Sequence, residues 1–130
     1  MIYTGEFLNE ISFPVGGIGC GCIGLAGNGS LIDWEIFNRP NKGSRNGYSH
    51  IAVKLKSQSG TYTKVLNSDL NTELTGHYEK SKFTGFGFGP SSMTMSGFPH
   101  FRRCVFTGEF PIAKLDFYDD DFPGPVSLTA

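Results

Sequence analysis

No apolar run in this 130-residue chain approaches the roughly 20 residues that cross a bilayer as a helix. No cluster of lysine or arginine gives it a basic face. Eleven basic residues are scattered among twelve acidic ones, for a net charge of −1. The electrostatic footprint of a nucleic-acid partner is therefore missing. Cysteine is scarce and odd in number: Cys20, Cys22 and Cys104 cannot make a regular disulfide framework. They also lack the CxxC and paired-histidine spacing of a zinc site, because His50, His77 and His100 follow no such pattern. No metal and no cofactor is expected. The first ten residues have neither a basic nor an apolar leader region. That points to a cytoplasmic chain, or to one from which a leader has been removed.

Turn formers and aromatics are what the chain has in excess. Eighteen glycines is about twice the usual share of roughly 7%. Twelve phenylalanines accompany them, while helix-period apolar patterns are nearly absent. This is the composition of an all-β domain with many short strands. At this length the chain is one domain or less, able to bury roughly two-thirds of its unfolded surface.

Glycine is densest near the start, with Gly16, Gly17, Gly19, Gly21, Gly24, Gly27 and Gly29 in quick succession. Such a block is either a phosphate cradle or a set of tight turns. Residues 19–24 formally match GxGxxG, but that fingerprint needs a helix after it to meet the phosphate. Here Ala-Gly-Asn-Gly-Ser follows, and then a strand pattern. The reading is tight turns at Gly16, Gly17, Gly19, Gly21 and Gly24. Cys20 and Cys22, two apart, read most simply as two small buried thiols.

Strand signals fill the rest. In residues 31–37, Ile32, Trp34 and Ile36 share one face and Asp33 and Glu35 the other. Residues 48–56 alternate with Ile51, Val53 and Leu55 on one side. Gln58-Ser59-Gly60 is turn chemistry, and residues 61–66 are the return strand of a hairpin. Residues 67–76 are a weak helical stretch that reads better as a loop. Residues 77–84 suggest a strand and 85–97 a loop. Residues 102–106 and 110–117 form a second hairpin around Thr107-Gly108-Glu109, with Ala113, Leu115 and Phe117 facing one way. Residues 119–125 are a loop. Val126, Leu128 and Ala130 begin a further alternation just as the sequence ends, which suggests a piece of something longer.

Several residues invite a chemical reading and a plainer one. Asp33 and Glu35 have a spacing that reaches the lower part of the carboxyl separation of glycosidases. A solvated or hydrogen-bonded strand face, with Arg39 as partner, explains them as well. Asp116, Asp119, Asp120 and Asp121 offer oxygens to calcium but lack the EF-hand pattern, so a solvated loop is the simpler reading. Trp34, Phe37 and Tyr48 can stack on a sugar; aromatics at alternating strand positions are more often core. Asn28-Gly29-Ser30 is a glycosylation sequon, silent without secretion.

Residues 13–44, FPVGGIGCGCIGLAGNGSLIDWEIFNRPNKGS, resemble the opening of glycoside hydrolase family 116, the bacterial β-glucosidases and the non-lysosomal, bile-acid type glucosylceramidases. The resemblance is carried by residues 14–19 and, above all, by Asp-Trp-Glu-Ile-Phe-Asn-Arg-Pro at 33–40. A second patch at 110–115 and 125–128 is similar to later strands of the same domain. The resemblance implies an antiparallel β-sandwich, here its incomplete N-terminal portion over residues 1–130. In the family this packs on a C-terminal α/α-barrel that bears a glutamate nucleophile and an aspartate acid/base. No position here matches either, so no catalytic residue is assigned. The implied partners are that barrel and, through it, a β-glucoside or glucosylceramide. Trp34, Asn38, Arg39 and Pro40 are the candidates for the domain interface or the rim of the cleft. Cys20 and Cys22 stand where Thr, Ser or Gly is expected, a departure small enough to fit.

Two functions follow: a supporting sandwich segment of a retaining glucosidase, or a free-standing carbohydrate-binding β-sandwich without catalysis.

Overall fold

The computed structural model describes residues 1–46, 49–69 and 97–130. Within them the chain forms ten strands and one 3₁₀ helix over Gly5–Glu10. The strands are β1 (Ile2–Tyr3), β2 (Ser12–Val15), β3 (Cys22–Ala26), β4 (Leu31–Glu35), β5 (Ala52–Ser57), β6 (Gly60–Ser68), β7 (His100–Phe101), β8 (Arg103–Glu109), β9 (Ile112–Tyr118) and β10 (Val126–Thr129). They make three open sheets, ordered β1-β8-β9-β10, β2-β3-β4 and β5-β6-β7. All neighbours are antiparallel except β6 and β7. No sheet closes into a barrel, and the arrangement fits an incomplete sandwich.

β9 is the centre of the core because its alternation is clean. Ala113, Leu115 and Phe117 are buried, and Lys114 and Tyr118 on the other side are exposed. Leu25 of β3, Leu66 of β6, Phe101 of β7, Cys104 and Phe106 of β8, and Phe122 pack with them. Each sheet thus lends one face to a shared interior. Phe101 touches both Phe117 and Phe122 at ring-centre distances of 5.3 Å.

The hairpin turn between β3 and β4 is driven into this interior rather than left in solvent. Gly29 has φ +94°, and a Cβ there would lie 2.1 Å from the Leu66 carbonyl oxygen. Only glycine satisfies both demands. Ser68 N–H donates to the Asn28 carbonyl (2.9 Å), and the Asn67 amide donates to Ser30 Oγ (2.7 Å). These two hydrogen bonds tie β6 to the first hairpin. Asn28 is 1% exposed, so folding closes the sequon to any transferase.

Several sequence expectations need correction. The β8–β9 connection is not Thr107-Gly108-Glu109; those residues pair with Lys114, Ala113 and Ile112 inside the ladder. The turn is Phe110-Pro111, joined by a cis peptide. The β5 alternation is real, but Ile51 and Leu55 are exposed and only Val53 packs on the core. β6 runs on through Asn67 and Ser68, which are buried strand residues rather than loop. The thiol that is buried is Cys104; Cys20 is exposed and Cys22 half-buried. The strand expected at 77–84 and the loop at 85–96 lie outside the described residues, as does Tyr48.

Candidate functional site

The two halves of the 13–44 segment meet at one place. Gly19, Cys20, Gly21 and Cys22 on one side and Glu35, Ile36, Asn38, Arg39 and Pro40 on the other line an open cleft of about 560 Å³. Gly21 makes the approach possible. Its φ is +78°, and a Cβ would lie 2.3 Å from the Glu35 carbonyl oxygen and 2.8 Å from Ile36 Cα. Gly16 lies just before, where a Cβ would strike the Gly21 carbonyl oxygen. Gly17 and Gly19 complete the bend, and Gly17 N–H donates to Cys20 Sγ at 3.1 Å. Gly24 is not in a turn: it lies within β3, against the Ser12 side chain and the Cβ of Asp33. Strand β3 follows the block directly, so the helix terminus of a phosphate cradle is absent from this position.

β4 departs from simple alternation. Gly24 pairs with Ile32, yet Cys22 pairs with Glu35, so one side of the ladder has an extra residue. Asp33 takes it up with φ +48°. A bulge of this kind re-aims the side chains that follow. Ile32 and Asp33 are consequently both buried at 1% exposure, and Ile36 is exposed. The expected split, with Ile32, Trp34 and Ile36 facing inward and both acids outward, is therefore wrong.

The buried Asp33 carboxylate is fully employed. It accepts from Ser12 Oγ at 2.6 Å and from Gly43 N–H at 2.7 Å, with Lys42 Nζ 3.6 Å away. Asp33 N–H donates to the Ser44 carbonyl, and Trp34 N–H to Ser44 Oγ. Glu35 accepts from Asn41 N–H at 3.1 Å and pairs with Lys42 at 3.2 Å. The Asn41 hydrogen bond first, and Lys42 after it, hold the Glu35 carboxyl below its ordinary value. The acids thus fasten residues 41–44 back onto β4. Their cation is Lys42, not Arg39. Sequence reasoning missed Lys42 and Ser44; the Asn-Lys-Gly-Ser turn signal after Pro40, with Gly43 at φ +74°, was the available clue.

The sequence-chosen residues divide. Asn38 (φ +53°), Arg39 and Pro40 are exposed along the cleft. Trp34 is not on it; half-buried, it donates its indole N–H to the Leu31 carbonyl at 3.3 Å. Among the described residues no carboxylate pairs with Arg39. Phe37 and Ile18 beside the cleft are exposed, at 71% and 108%.

The aspartates near 119 are not one solvated loop either. Asp119 has only 1% of its side chain exposed and pairs with Lys64 at 2.6 Å. Burial works against its charge, but the Lys64 hydrogen bond and the Asp121 and Arg102 amides outweigh it and hold its carboxyl low. Asp116 binds Lys114 and Ser127 on the outer face of its sheet.

No curated protein matches the chain. Residues 12–130 match the family described as beta-glucosidase 2, glycosyl-hydrolase family 116 N-term. Matched over nearly its whole length, the chain belongs to the N-terminal domain family of glycoside hydrolase family 116.

Proposed function

We propose that this chain is the N-terminal β-sandwich segment of a retaining β-glucosidase or glucosylceramidase, and that it supports a catalytic α/α-barrel rather than cleaving sugar itself. The family match supports this reading. The single observation that carries it is the state of the acids in the shared motif: Asp33 is bonded to Ser12 of β2 and to Gly43, and Glu35 to Asn41 and Lys42. A retaining glycosidase needs one carboxylate free to attack and another able to protonate the leaving oxygen. Asp33, buried beneath Ser12 and Gly43, reaches neither role.

The part offered to a partner is the exposed strip from Ile36 to Pro40. Asn38 and Arg39 present donors, and Phe37 an apolar ring, on a frame fixed by Pro40 and by the 41–44 loop. A guanidinium that meets no carboxylate among the described residues suits carboxylates or carbonyls on a neighbouring domain. The test is Arg39→Ala in an enzyme that contains both the sandwich and the barrel. Lowered thermal stability with weakened domain docking is the expected result. Unchanged stability and unchanged activity discard the interface role. The purified 130-residue chain should leave an aryl β-glucoside intact and give no heat on titration with sugars; sugar binding without hydrolysis would favour the free-standing carbohydrate-binding module instead.

A further inference from the structure

Two of the three cysteines lie outside the core, and they stand one residue apart. Cys20 is exposed and Cys22 half-buried, whereas Cys104 is buried against Ser68 and the Gly27 carbonyl. Cys20 and Cys22 both line the open cleft described above.

The backbone between them is bent. A disulfide needs Cα atoms about 4.4–6.8 Å apart. Residues on either side of a fully extended one are about 6.6–7.2 Å apart, at or beyond that limit. Gly21, at φ +78°, is not extended and draws its neighbours closer. Cys22 Sγ makes one long contact, donating to Glu35 Oε2 at 3.8 Å. Cys20 Sγ is 3.1 Å from both the N–H nitrogen and the carbonyl oxygen of Gly17. The carbonyl accepts from the thiol, and the amide donates to the thiolate. The turn thus has a partner for either form of the sulfur, and the thiolate is the form that attacks a disulfide.

We propose that Cys20 and Cys22 form a reversible dithiol site that exchanges with small-molecule disulfides of the glutathione type. The exposed Cys20 sulfur attacks one sulfur of the reagent, whose S–S bond breaks and releases one thiolate. The Cys22 sulfur then attacks Cys20 in the mixed disulfide and displaces the second thiolate. The chain gives up two electrons and two protons, one molecule of reagent becomes two thiols, and Cys20 and Cys22 are joined. An exposed disulfide of this kind is labile, so excess thiol reopens it. Cys104 takes no part, because burial keeps the reagent from it.

The ring closes on Gly21, whose fit under the Glu35 carbonyl brings the two walls of the cleft together. Oxidation therefore acts on the shape of the cleft. The exchange does not rest on the function proposed above: an inert dithiol leaves the docking role of Arg39 untouched, and failed docking leaves the dithiol untouched.

The test places the purified chain in glutathione buffers of rising glutathione disulfide content, followed by rapid alkylation and mass measurement. The folded chain should lose two hydrogens, with Cys20 and Cys22 closed to alkylation at every protein concentration. Cys104 should be labelled only once urea is added, which certifies that the folded chain is the reactant. Excess reduced glutathione should restore both thiols. Cys22→Ser should stop at the mixed disulfide and carry one glutathione on Cys20. Closure should need about tenfold less glutathione disulfide in the folded chain than in urea, because the fold supplies the bend. A chain that stays reduced throughout overturns the proposal. So does one that keeps a glutathione adduct without closing, or that closes no more readily folded than in urea.

Discussion

β9 and β4 alternate equally well as sequences, yet only β9 behaves as an alternating strand. Ala113, Leu115 and Phe117 all turn inward because β8 and β10 match β9 residue for residue. β4 faces β3 with one residue too many, and the excess is absorbed at Asp33. One strand gives the core its apolar centre. The other turns a carboxylate inward and uses it to fasten a loop. Period-two reading assumes partners of equal length, and a bulge is where that assumption fails.

The two strands should therefore fail differently. The largest effect belongs to β9: Leu115→Ala should cost about 2–5 kcal/mol, because a fully buried leucine leaves a cavity that the surrounding sheets cannot close. Urea unfolding read by Trp34 fluorescence measures it. In β4, Asp33→Ala should cost about 1–3 kcal/mol by stranding the Gly43 N–H and the Ser12 hydroxyl. A cost near zero would mean that water takes the place of the carboxylate, and the contrast between the strands would then collapse.

Acid should sharpen the same comparison. Glu35, Asp116 and Asp119 are all held low in the folded chain by the partners that fasten them. A depressed carboxyl contributes stability above its unfolded value and loses it as pH falls through its folded value. The urea midpoint should be level near neutrality and decline on acidification below the ordinary carboxylate range. A level midpoint through that range would show that these pairs add nothing.

The smallest effect concerns thiols. Cys20 on the glycine turn is exposed, whereas burial pushes Cys104 up to about 11. A thiol-specific reagent at neutral pH should modify Cys20 first, Cys22 more slowly, and Cys104 only once the chain unfolds. Modification of Cys104 in the folded chain would contradict its place in the core.

Much of this was legible in the sequence. Glycine and phenylalanine announced a β fold, Gln58-Ser59-Gly60 announced the β5–β6 hairpin, and residues 113, 115 and 117 announced the core. The contact between the glycine bend and the strip ending at Pro40 was not legible. It depends on Gly21 lying under the Glu35 carbonyl, a tertiary approach that leaves only the absence of a side chain as its trace. The partner of the acids was misread for a related reason. Arg39 is closer in sequence to Glu35 than Lys42 is, but the loop doubles back and brings Lys42 over both carboxylates. Residues 107–109 resembled a turn by composition, and the ladder instead continued to the proline at 111.

The central claim is that the acids of this motif hold the fold while its exposed strip is left for another body. The most direct measurement is the difference in urea midpoint between Asp33→Ala and Arg39→Ala in the isolated chain. A clear loss for the buried carboxylate and an unchanged midpoint for the cleft arginine is the predicted result. Equal losses, or a larger loss at Arg39, would contradict it.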